Sequence, residues 1–203
     1  MAATIVFIGD SITDAGRRED PEKLGNGYVR IIAAELAARG DARAIVNTGV
    51  GGDRAVDLLA RWDDDALSYE PELLSIYVGI NDTWRRYDSG DPTSAEHFAA
   101  TYRVLLEAAQ TRFAPRLILL EPFVLPVTGE QKHWGSEDLD AKRAVVAELA
   151  AEYGAAFVPL QSLLTDAAAQ NGGADSIAED GVHPTALGST LIAGAWLSAE
   201  ATL

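Results

Sequence analysis

Thr4-Ile-Val-Phe-Ile8 is almost wholly apolar and runs straight into Gly9-Asp10-Ser11. A strand that is apolar on both faces belongs to a parallel sheet covered on each side by helices. Four further short runs have the same character: Ala44–Val46, Leu73–Val78, Leu117–Leu120 and Ala156–Val158. Between them the apolar spacing switches to helical period. Tyr28–Ala38 is one such stretch, and Phe98, Tyr102, Leu105, Leu106 and Ala109 share one face of another. Val145, Val146, Leu149 and Tyr153 mark a third, and Leu187, Leu191 and Ala195 a fourth, after Pro184. Strand and helix alternate throughout, which predicts an α/β three-layer sandwich built from right-handed crossovers. Asn171-Gly172-Gly173 reads as a loop, and residues 121–136, with Pro122, Pro126 and Gly129, as a longer surface excursion.

The 203 residues suit one domain, spanning 1–203. Hydrophobic residues at 48% and charged residues at 23% are those of a globular chain and exclude a rod or a disordered tail. Sixteen Lys and Arg against 31 Asp and Glu give a formal charge of −15. Such a chain repels phosphate, so neither nucleic acid nor an anionic membrane is an expected partner. The acidic run Asp63-Asp64-Asp65 reads as a solvated helix face. There is no cysteine, so a thiol nucleophile and a cysteine metal site are excluded. The N-terminal stretch Met1-Ala-Ala-Thr-Ile-Val-Phe-Ile8 has no basic region and too short an apolar run for a secretion signal. The expected location is cytoplasmic.

Ligands of an open parallel sheet sit beyond the carboxyl ends of its strands. Gly9-Asp10-Ser11 follows the first strand, Gly49-Val50-Gly51-Gly52-Asp53 the second, and Gly79-Ile80-Asn81-Asp82 the third. Asp180-Gly181-Val182-His183 precedes the last helix. Each segment alone reads as a turn or a cap. Together they fill every role that ester cleavage needs. Ser11 offers a hydroxyl nucleophile, His183 a base, and Asp180, three residues earlier, an anchor for the imidazole tautomer. The Ser11 amide, the Gly52 amide and the Asn81 side chain offer an oxyanion hole. Asp10 and Asp14 read as holding the turn. His97 and His133 have no partner in this pattern.

These four blocks, in this order, resemble those of the SGNH hydrolase superfamily, also called GDSL esterases. The likeness runs from residue 4 to about residue 197. It implies a flavodoxin-like α/β/α sandwich with a five-stranded parallel sheet, Ser11, Asp180 and His183 as catalytic residues, Ser11, Gly52 and Asn81 as the oxyanion hole, and no metal or organic cofactor. Gly9-Asp-Ser-Ile-Thr-Asp14, Leu24-Gly-Asn-Gly-Tyr28, Ala60-Arg-Trp62 and Gly79-Ile-Asn-Asp-Thr-Trp84 further resemble the acetylxylan esterases of that superfamily. That likeness implies removal of acetyl groups from xylo-oligosaccharides taken up by the cell. Some of those esterases carry an aromatic residue just before the catalytic Asp, where this chain has Glu179.

Trp84 and Tyr28 are the candidate substrate contacts, because flat aromatic faces suit sugar rings. Trp62 and Trp196 read as core, and Trp134 as the rim of the pocket or of a subunit interface. A homo-oligomer is accordingly a candidate assembly. Two other readings stay open. One is a short-chain carboxylesterase, thioesterase or lysophospholipase of the same superfamily, which needs an apolar acyl channel. The other is a non-catalytic carbohydrate-binding protein.

Overall fold

A computed structural model describes residues 3–203. Met1 and Ala2, which open both the stretch read above as leaderless and the domain 1–203, lie outside the described residues. Five parallel strands form one sheet in the order β2-β1-β3-β4-β5. They are β1 (Thr4–Gly9), β2 (Ala44–Asn47), β3 (Leu73–Tyr77), β4 (Arg116–Leu120) and β5 (Ala156–Val158). Each lies within one residue of the run expected from the sequence. In register, Ile5 faces Ile45 on one side and Leu73 on the other.

The period of two sends alternate β1 residues to opposite faces. Ile5 and Phe7 join one buried cluster with Tyr77, Ile118 and Val158. Val6 and Ile8 join the other with Leu74, Ile76 and Leu119. Helices α2 (Tyr28–Ala38), α9 (Leu160–Gln170) and α10 (Ala186–Glu200) cover the first face. Helices α3 (Ala55–Ala60), α6 (Ala95–Arg112) and α8 (Asp140–Tyr153) cover the second. Ser75, the polar residue inside the buried β3, accepts a hydrogen bond from Trp196 Nε1 at 2.9 Å, so neither polar atom is orphaned. Trp62 and Trp196 are core, as expected. Asp63 and Asp64 are exposed on the short α4 (Trp62–Asp65), as a solvated face should be. Among the described residues no helix is long and apolar enough to cross a membrane.

The segment 121–136 corrects the sequence reading. Residues 126–130 are exposed as a surface excursion should be, but the residues on either side of them turn inward. Phe123, Val124 and Leu125 are buried in the first cluster, and the short helix α7 (Gln131–Trp134) follows. Trp134 is 1% exposed, so it rims neither a pocket nor a subunit interface. Its ring stacks on Tyr87, with centroids 5.2 Å apart. The prolines and glycine signal irregular backbone correctly. They say nothing about the apolar side chains between them, which fill the end of the core.

Candidate active site

Three sheet-end segments converge where β1, β2 and β3 stop. Asp10 caps the one-turn helix α1 (Ser11–Asp14): its Oδ1 accepts the Ile12 amide at 3.0 Å. That cap presents Ser11 at the first helical position, where its amide has no partner within the helix. Gly9 allows the turn to sit tight on β3, since a Cβ there would lie 2.2 Å from the Tyr77 carbonyl oxygen. Asp14 Oδ1 accepts the Arg17 amide. Both acids therefore hold the turn as expected.

Ser11 Oγ lies 2.9 Å from His183 Nε2. His183 Nδ1 lies 2.6 Å from Asp180 Oδ2. Asp180 Oδ1 also accepts the amides of Val182, at 2.9 Å, and His183, at 2.7 Å. Burial opposes ionisation of Asp180, but the His183 ring and these two amides outweigh it and hold the carboxyl below its ordinary range. Asp180 thus stays anionic in moderately acidic solution.

The second strand's loop runs beside the serine. A Cβ on Gly51 would lie 3.8 Å from Ser11 Cβ. Gly52 has φ +88°, a conformation glycine adopts freely, and its amide makes no backbone hydrogen bond among the described residues. Asn81 opens α5 (Ile80–Asp88) and is 3% exposed. Its Nδ2 donates to the Asp53 carbonyl at 3.1 Å, which leaves the second hydrogen of that amide unspent. The residues assigned to an oxyanion hole are therefore linked to one another through consecutive residues of one loop.

Arg61 fixes that loop to the sheet. Its guanidinium donates to the carbonyls of Gly9 and Thr48 and to the carboxylates of Asp53 and Asp65. One side chain thereby ties the ends of β1 and β2 together. The motif Ala60-Arg-Trp62 was visible in the sequence, but this role was not.

Trp84 lies against His183, with ring centroids 6.1 Å apart, and is half-buried by Trp134 on its other side. Tyr28 corrects the sequence reading. It is 1% exposed, its ring packs edge-on to Phe7 and Tyr77, and its hydroxyl pairs with Thr13 Oγ1 at 3.0 Å. It has no face for a sugar and instead supports α1 from below. Exposed His97 and His133 lie outside this constellation; His133 Nδ1 is 3.8 Å from Glu137.

Two pockets border the triplet. One of about 230 Å³ is lined by Ser11, Ile12, Ala15, Asn26, Gly27, His183, Pro184 and Ser189. The other, of about 340 Å³, is lined by Glu179, Asp180, His183, Pro184 and Thr185.

The GDSL-like lipase/acylhydrolase family model matches residues 7–191. This chain belongs to that family. It is 33% identical over 203 residues to an acetylxylan esterase of Geobacillus stearothermophilus, covering 95% of this chain and 91% of that one. The crystal structure of such an esterase from that organism superposes with a TM-score of 0.86 at 30% identity, over 97% of this chain and 93% of the other. A putative GDSL-like lipase from Parabacteroides merdae gives a TM-score of 0.90 at 31% identity, over 99% and 96%. Catalytic mutants of the Geobacillus esterase replace a serine, an aspartate and a histidine, the last two three positions apart in its chain. The family and these relatives make the protein a carboxylic ester hydrolase.

Two buried carboxyls behind the site carry a stability prediction. Burial pushes Asp10 up to about 7, with Asp82 and Asp53 adding repulsion. Burial likewise pushes Asp82 up to about 7, against the hydrogen bond its Oδ2 accepts from the Ala55 amide. In the unfolded chain both ionise near pH 4. At these two sites the folded state therefore holds more protons between about pH 4 and 7, so their contribution to stability is fully present below that window and is lost as pH rises through it. Asp82→Asn keeps the acceptor for Ala55 and removes one of these protons. Thermal melting across this range should show a smaller fall with rising pH in the variant than in the wild type. Equal slopes would contradict the buried neutral acid.

Proposed function

We propose that the protein removes acetyl groups from xylo-oligosaccharides through an acyl-enzyme on Ser11. The continuous hydrogen-bonded chain from Ser11 Oγ through the His183 ring to Asp180 carries this reading. It has the order and spacing that a nucleophile, a base and an orienting carboxylate require. The three-residue separation of Asp180 and His183 matches that of the replaced aspartate and histidine in the Geobacillus esterase.

In the first half-reaction Ser11 Oγ bonds to the acetyl carbon while His183 Nε2 takes its proton. The amides of Ser11 and Gly52 and the Asn81 side chain donate to the oxyanion. The bond from the acyl carbon to the sugar oxygen then breaks, and His183 returns the proton to that oxygen. In the second half-reaction water attacks the acyl carbon, His183 again takes and returns the proton, acetate leaves and Ser11 is regenerated. Asp180 stays ionised and holds the imidazole throughout.

The substrate reading rests on the relative's activity and on the walls around the triplet. Trp84 presents a half-buried ring beside the base, where the leaving sugar must pass. A chain without cysteine is compatible with action in the cytoplasm. The test compares kcat/KM for acetylated xylo-oligosaccharides with that for an octanoyl ester. Preference for the acetyl sugar is expected; faster octanoyl cleavage would replace this reading with that of a lipase-like acylhydrolase. Trp84→Ala should raise KM for the acetylated oligosaccharide by about 3- to 10-fold, the scale of one aromatic contact, and leave a small artificial acetyl ester nearly unaffected. An equal loss on both substrates would remove Trp84 from sugar binding.

A further inference from the structure

Asp180 and His183 are held in an unusual way. Their side chains are 48% and 46% exposed, so packing does not fix them. They stand at the tip of a tight turn closed by the Ala178–Pro184 bridge. Orientation must come from the backbone of that tip, and the tip is anchored from outside by the segment the sequence had presented as a surface loop. Gln131 is 5% exposed. Its Nε2 donates to the Asp180 carbonyl at 2.7 Å. Its Oε1 accepts the amides of Val127 and Thr128 at 3.0 and 3.2 Å. The Leu125 amide donates to the Gly181 carbonyl at 2.8 Å. The contact is built closely: a Cβ on Gly181 would lie 2.5 Å from the Leu125 carbonyl oxygen and 2.8 Å from Gln131 Oε1.

We propose that Gln131 is a positioning residue for the acid–base pair, holding the Asp180–His183 tip at the height from which the imidazole reaches Ser11. The amide is the right group for the place. It must accept from two backbone N–H groups and donate to one carbonyl, and a glutamine offers both functions at one end while a carboxylate offers only acceptors. Trp134, at the other end of the same short helix, backs the Trp84 ring that lies against His183. One turn of helix therefore braces the turn below the imidazole and the aromatic face beside it.

This inference rests on Asp180 and His183 being the acid–base pair, so His183→Ala is measured alongside. Gln131→Glu keeps the shape and both accepted hydrogen bonds and loses only the donor to Asp180. On a small acetyl ester it should fold normally and lose about tenfold or more in kcat, as small displacements of a reacting group do, with KM nearly unchanged. Its activity relative to wild type should climb as pH falls, because a protonated carboxyl again offers a hydrogen to the Asp180 carbonyl. Gln131→Met, which has no donor at any pH, should show the kcat loss without that climb. Wild-type kcat in both variants, or a loss in Gln131→Glu with no pH-dependent recovery, would overturn the positioning role. Full activity of His183→Ala would instead overturn the acid–base assignment itself. Should Gln131→Glu not fold, a near-normal kcat in Gln131→Met overturns the proposal by itself.

Discussion

Ser11→Ala should lower kcat on any acetyl ester by roughly 10⁴-fold or more, with the melting temperature little changed. The hydroxyl is the only group removed, and its partner is the His183 ring, 2.9 Å away. His183→Ala should cost about as much. Groups that act as one unit are not additive, so the double variant should be hardly worse than either single one. Residual hydrolysis should persist in all three, because the oxyanion donors remain. Steady-state kinetics on an activated acetyl ester check this. Additive losses in the double variant would mean that Ser11 and His183 act in separate steps, against the hydrogen bond between them.

Asn81→Ala should lower kcat by about 10²–10³-fold, the typical cost of one oxyanion donor, while KM moves little. A donor aimed at charge that develops in the transition state contributes little to ground-state binding. The side chain is nearly fully buried and already fixed by the Asp53 carbonyl, so its second hydrogen is preorganised. The variant also releases the Asp53 carbonyl, and melting temperature measured on the same sample separates that effect from catalysis. A raised KM with kcat unchanged would place Asn81 in substrate binding instead.

The strands and the four blocks were legible in the sequence for one physical reason. Two-faced burial leaves an unbroken apolar run, and the chemistry of an open parallel sheet collects at the strand ends. Thr4–Ile8 followed by Gly9-Asp10-Ser11 displays both at once. Tyr28 was misread because an aromatic ring near a catalytic loop has the same letter whether it faces a sugar or the core. Only the depth of α2 against Phe7 and Tyr77 decides the matter. The segment after β4 hid its role for a related reason. Pro122, Pro126 and Gly129 exclude regular structure, yet Phe123 and Trp134 still drive it inward. Gln131 gave no signal, since a lone glutamine in a loop is usually solvated. Its importance comes from contacts across about fifty positions, with the Asp180 carbonyl. The charge state of Asp10 and Asp82 was equally hidden, because it depends on burial and not on spacing.

The acyl-enzyme is the step on which the proposed function stands. Enzyme quenched in acid during turnover of an acetyl ester, then digested and mapped by mass spectrometry, reports it directly. Nucleophilic catalysis predicts one acetyl group on the peptide that contains Ser11, absent in Ser11→Ala and lost with time once substrate is exhausted. An acetyl group on another residue, or full turnover with no adduct in wild type and undiminished activity in Ser11→Ala, would contradict it.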